Sequence, residues 1–110
     1  MRKVFLSLIP ASVLCCLAWP AVVQAETDSG KFFKTNCVLC HSADGSGDSA
    51  SGKALHAKDL RSAEVQAKSD AALAEVIAKG KGKMPAFGAK IAADDVTKLV
   101  AFIRDLAKKK

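Results

Sequence analysis

One run of five residues limits this chain more than any other feature: Cys37-Val38-Leu39-Cys40-His41. On a helical turn, side chains three apart project toward one face. Two thiols so placed can each add to one vinyl group of a flat macrocycle, while the next residue offers an imidazole nitrogen to a metal at its centre. Cys-x-x-Cys-His is the attachment signature for c-type haem. Two other chemistries use a Cys-x-x-Cys pair. A redox disulfide of the thioredoxin kind wants a strand before it and a βαβ pattern around it, and the flanking residues show neither. A closed structural zinc site takes four ligands, for which only His41 and His56 are on hand, with no second cysteine pair in the same region.

The segment before this motif has a different character. Arg2 and Lys3 open it, an apolar run follows from Val4 to Val23, and Val23-Gln24-Ala25 sets small residues where a signal peptidase inspects them. This is the pattern of a secretory signal peptide, so residues 1–25 are expected to be cleaved and residues 26–110 to form the working domain. Pro10 and Pro20 interrupt the run, which argues against a transmembrane anchor. Cys15 and Cys16 invite a lipoprotein reading, but Leu14 stands where that peptidase needs a small residue.

The remaining chain is long enough for one small domain. Domains of this size bury too little apolar surface to be stable without a staple, a metal or a cofactor. The sole Trp, Trp19, lies in the leader, Tyr is absent, and Phe32, Phe33, Phe87 and Phe102 are the aromatic residues left. A bound group is expected to fill the centre.

Three stretches read as helices. The first runs from about Asp28 to Asn36. The second spans about Asp70 to Lys79, with Ser69 or Asp70 as N-cap and Gly80 where a left-handed C-cap residue belongs. The third runs from near Ala93 to about Lys108, and its Val96, Leu99, Val100, Ile103 and Leu106 make one apolar stripe. Asp94 and Asp95 at its start and lysines at its end suit the helix dipole. Ser42 to Ser51 reads as loop from its Ser, Gly, Asp and Ala content. No period-2 alternation persists, so the fold class is all-α, with three to five helices wrapped around one covalently bound haem.

A six-coordinate iron needs a second axial ligand. Outside the initiator, Met84 is the one methionine. It sits in a loop where Gly80, Gly82 and Gly88 let backbone approach a large flat ligand and Pro85 adds stiffness. A methionine is ordinarily a flexible core filler; its place in a loop rather than on an apolar stripe favours ligation. His56 is the competing ligand, but Gly52 to Lys58 reads as solvated. Gly47 to Ala54 has the spacing of a phosphate-binding loop, yet Ala54 replaces the magnesium-holding hydroxyl and no strand precedes it.

With these residues in view, the chain resembles the class I cytochrome c family, most closely its small c6-like bacterial monohaem members, over nearly all of residues 26–110. Gly30 and Phe33 precede Cys37 at the family's spacing. Lys81 to Gly88 looks like its methionine loop, and Phe102-Ile103 is similar to the aromatic pair of its last helix. The resemblance implies that the first and last helices cross, with Gly30 giving room for Phe102. It implies that Leu60, in Lys58-Asp59-Leu60, packs on haem, and that the carbonyl before it fixes the proximal histidine. Lys58 stands where the family has proline, and Ala92 where it has a Ser or Thr cap, a loss of about 1 kcal/mol. Without Trp or Tyr, the haem propionates are left to Arg61, Ser62 or backbone N–H groups.

The site residues expected from the sequence are thus Cys37, Cys40, His41, Leu60 and Met84, with iron on His41 and Met84. Two strong axial ligands leave no open position, which suits an electron carrier rather than an enzyme, and methionine ligation raises the potential. Nothing resembles a nucleophile–base pair or paired catalytic carboxylates. The formal charge is +6 over the whole chain and +4 once Arg2 and Lys3 leave with the leader; with Lys79, Lys81 and Lys83 leading into the methionine loop, it fits a redox partner with an acidic docking surface. No aromatics interleave with the basic residues, against nucleic-acid binding. The expectation is a soluble monomeric carrier in a respiratory or photosynthetic chain, in the periplasm or alternatively the thylakoid lumen. A haem-based sensor and a dedicated subunit of one enzyme are the competing classes.

Overall fold

The structure, a computed structural model, describes residues 28–109. The expected signal peptide, residues 1–25, lies outside the described residues. Six helices follow in order: α1 (Asp28–Asn36), α2 (Val38–His41), α3 (Ala50–Leu55), α4 (Ala63–Gln66), α5 (Asp70–Lys79) and α6 (Ala93–Lys108). Among the described residues no strand forms, and no helix is long and apolar enough to cross a membrane.

The three long helices lie where the sequence places them. In α6 the stripe Val96, Leu99, Val100, Ile103 and Leu106 is buried throughout, each side chain contributing about 1.5–3 kcal/mol of transfer free energy. That stripe packs on both α1 and α5. Phe33 of α1, 1% exposed, meets Phe102 of α6 with ring centroids 5.0 Å apart, and Gly30 is buried on the same helix. Leu73 and Ile77 of α5 and Val65 of α4 close the core, which holds no buried polar or charged side chain among the described residues.

The short helices are where the structure adds to the sequence reading. Ser42–Ser51 is loop only as far as Ser49, because that serine caps α3 by accepting from Gly52 N–H at 2.9 Å. Ser62 does the same for α4 and Ser69 for α5. Six helices rather than three to five result, because four to six capped residues are too few to show a periodicity. Ala92 makes no side-chain cap to α6, as its residue type implies. Gly80 follows α5 with φ 74° and ψ 170°, so its φ is positive but its ψ is extended rather than left-handed helical. A Cβ there would lie 2.6 Å from the Met84 carbonyl oxygen, so only glycine lets the chain turn directly from α5 into the following loop.

Candidate functional site

Cys37 closes α1, its N–H donating to Phe33 O at 2.9 Å, and occupies the N-cap position of α2. Its carbonyl accepts from Cys40 N–H at 3.2 Å and His41 N–H at 2.8 Å. This turn leaves Leu39 pointing to solvent, 73% exposed, while Cys37 and Cys40 are both half-buried free thiols. Burial, and then the nearby Cys40, push the Cys37 thiol up to about 11. A redox-active cysteine needs the opposite shift, toward thiolate. Among the described residues no three His, Cys, Asp or Glu side chains converge as metal ligands, so a closed zinc site has no donor set.

His41 is half-buried, and its Nδ1 stands 3.0 Å from the Lys58 carbonyl oxygen. A carbonyl can only accept, so Nδ1 carries the proton and Nε2 is left with a bare lone pair. Burial lowers the imidazole pKa and outweighs the Lys58 bond, which raises it. The ring is therefore neutral near pH 7, the form that binds metal. The backbone bond expected between His41 and the residue-58 carbonyl exists although Lys58 replaces proline.

The elements around the motif hold it by close backbone approach. α3 packs on α2, and a Cβ on Gly52 would run into the carbonyl oxygens of Cys40 and Gly47. Ser49, which the sequence reading passed over, donates from Oγ to Leu39 O at 2.7 Å while capping α3. The usable signal was a serine three residues before a glycine in a polar loop.

Met84 ends a tight turn in which Lys81 and Met84 exchange both backbone hydrogen bonds, at 3.1 and 3.0 Å. Downstream, Phe87 N–H donates to Ile77 O and Gly88 N–H to Ala78 O, at 2.9 and 3.0 Å. The Phe87 ring meets Phe32 of α1 edge-on at 5.8 Å. Met84, Leu60, Cys37 and Val38 are half-buried and pack against one hydrophobic core. His41 is tied to Cys37 of that group, its N–H donating to Cys37 O at 2.8 Å. His56 is exposed at the left-handed C-cap of α3 and is not among the residues on the core.

A pair of thiols, a neutral imidazole with one nitrogen engaged, and an incompletely covered thioether, all beside an apolar core, form a donor set suited to c-type haem. Residues 24–103 match the family described as Cytochrome C oxidase, cbb3-type, subunit III. Over 112 residues the chain is 31% identical to cytochrome c6 of Gloeothece citriformis, covering 99% of this chain and 98% of that protein.

The chain belongs to the cytochrome c family.

Cytochrome c6 of Leptolyngbya boryana is 35% identical over 83 residues, 73% of this chain and 91% of that protein. The solved KustC0563 c-type cytochrome matches with a TM-score of 0.66 and 32% identity, covering 73% of this chain and 98% of that one. The cofactor of this family is covalently bound haem c with its iron, and the single Cys-x-x-Cys-His of the sequence provides for one. Of the groups considered for the propionates, Arg61 is already held by Asp59 at 3.0 Å and Asp44 at 3.6 Å, and Ser62 is occupied in capping α4.

Proposed function

We propose that this protein is an exported monohaem c-type cytochrome that carries single electrons between redox proteins. Its haem is joined to Cys37 and Cys40, and its iron is held by His41 and Met84. The observation that carries this reading is the His41 ring: neutral, tied through Nδ1 to Lys58 O at 3.0 Å, and left with Nε2 as a donor. When bound, haem supplies a one-electron iron couple. The protein's part is to present two ligands that do not move between oxidation states. The Nδ1 bond fixes the plane of the imidazole and strengthens it as a donor. The Lys81–Met84 turn would supply a thioether, which favours the ferrous state, and Leu60 would offer the haem apolar surface.

The carrier docks through exposed cations. Lys81 and Lys83 are exposed in the methionine loop, whereas Lys79 is partnered by Glu75 at 2.9 Å. An acidic redox partner is the fitting complement, drawn in by long-range attraction. No group on the described surface is assigned a catalytic role. The leader directs the protein to the periplasm, with the thylakoid lumen as the alternative compartment, in a respiratory or photosynthetic chain. A second reading, a dedicated subunit of one oxidase, draws on the description of the matched family; a match to cytochrome c6 along 98% of that protein favours the free carrier.

The test is an absorption spectrum of the protein made with haem-attachment machinery, oxidised, reduced, and reduced with carbon monoxide. A c-type reduced spectrum, a weak red ferric band from iron–sulfur bonding and no response to carbon monoxide are expected. Ready uptake of carbon monoxide would turn the assignment to a sensor or catalyst, and absence of haem would overturn it entirely.

A further inference from the structure

The carbonyl that orients His41 belongs to a short irregular segment, residues 58–60, and Lys58 lacks the ring that would lock its φ. The Lys58 side chain meets Glu64 at 3.1 Å with both groups well exposed, an ion pair too weak to fix a backbone. The segment is held from elsewhere. Leu60 N–H donates to Gly45 O at 2.8 Å. Leu60 O accepts from Gln66 Nε2 at 2.7 Å, the shortest bond that Gln66 makes. Gln66 is in turn aligned from α6: Arg104 Nη1 donates to Gln66 Oε1 at 3.2 Å and to Gln66 O at 2.9 Å. A guanidinium has only donors, so it accepts nothing from the amide, and the amide must turn its oxygen toward Arg104 and its NH₂ toward the Leu60 carbonyl. Arg104 is itself fixed by Lys68 O at 2.6 Å and by Asp70 Oδ1 at 2.9 Å.

We infer that Gln66 and Arg104 are positioning residues for His41: the Arg104–Gln66–Leu60 chain holds the 58–60 segment, and with it the Lys58 carbonyl, against Nδ1. This rests on the reading of His41 as the iron ligand. The chain replaces, by side-chain hydrogen bonds from α4 and α6, the stiffness that residue 58 does not provide itself. Loosening it weakens the Nδ1–H···O bond, makes the imidazole a poorer donor, and so disfavours the ferric state.

The test uses the full haem-loaded protein. Gln66→Met removes the amide at similar length. Gln66→Glu keeps an acceptor for Arg104 but has no N–H for Leu60. Both are expected to speed hydrogen exchange at His41 Nδ1–H in the reduced protein about fivefold, the loss of one hydrogen bond of ordinary strength. Gln66→Met is also expected to shift the midpoint potential upward. Val96→Ala, which thins the core stripe earlier on α6 and touches none of these hydrogen bonds, is expected to lower the melting temperature while leaving exchange and potential at wild-type values. If Gln66→Met does not fold, Arg104→Lys, which keeps the charge but loses the fork, takes its place with the same expectation. Unchanged exchange and potential in Gln66→Met overturn the inference, as does an equal shift in Val96→Ala. The wild-type spectrum separates this failure from a deeper one. His41 ring protons displaced by the macrocycle ring current confirm ligation, so that only the positioning role has failed. Their absence removes the ligand assignment, and this inference with it.

Discussion

The two sides of the site are built by different means. On the His41 side, close backbone approach at Gly52 is joined by side-chain bonds: Ser49 grips the Leu39 carbonyl at 2.7 Å, Ser42 Oγ accepts from Ser49 N–H at 3.0 Å, and the imidazole is tied to Lys58 O. On the Met84 side, the loop is held by backbone pairs, Lys81 with Met84 and residues 87 and 88 with α5, and by the positive φ of Gly80 and Gly82. The contrast follows from the two proposed ligands. An imidazole has a second nitrogen through which its direction and donor strength can be set. A thioether is a weak acceptor with no hydrogen to donate, so a methionine is placed chiefly by shaping the chain that carries it.

Replacing both Cys37 and Cys40 by Ala removes the link common to the two sides and has the largest expected effect. Covalent haem should be absent on a denaturing gel, and the cooperative thermal transition should be lost, because a domain this small leans on its bound group. Met84→Ala comes next and strikes one side only. Covalent haem should remain, the red ferric band should vanish, carbon monoxide should bind the reduced protein, and the potential should fall; a wild-type spectrum and potential would remove Met84 from the iron. Gly80→Ala tests whether the methionine side is placed by backbone shape. It forces a side chain into a conformation open essentially to glycine, at a cost of about 1–3 kcal/mol, against the Met84 carbonyl 2.6 Å away. Denaturant unfolding should show that loss together with a weakened red band, and a stable variant with an intact band would show that the loop tolerates another path. Ser49→Ala is the smallest change and the matching test of the histidine side. Loss of the cap should cost about 1 kcal/mol, read as a fall of about 4–8 °C in melting temperature, with the red band unchanged.

Much of this was legible beforehand, for reasons that differ from residue to residue. Asp28–Asn36, Asp70–Lys79 and Ala93–Lys108 were found at their observed bounds because nine or more residues carry either a periodic stripe or clear end signals. Ala50–Leu55 and Ala63–Gln66 were not, since one or two turns hold too few residues for a period and only their serine caps mark them. The His41–Lys58 bond was anticipated from family resemblance, and it survives replacement of proline because a backbone carbonyl does not depend on the side chain. Arg61 and Ser62 looked available from their residue types, and neighbours in space had already engaged them.

By itself the sequence determined the Cys-x-x-Cys-His turn, the all-α class and the stripe that makes α6 a core helix, because each is written in residues close together in the chain. Only the tertiary structure decided what steadies His41. Gln66 and Arg104 lie 38 positions apart, and neither residue type announces the other. Their pairing exists because α6 packs across the core and brings a rigid fork of donors to an amide that local spacing could not place.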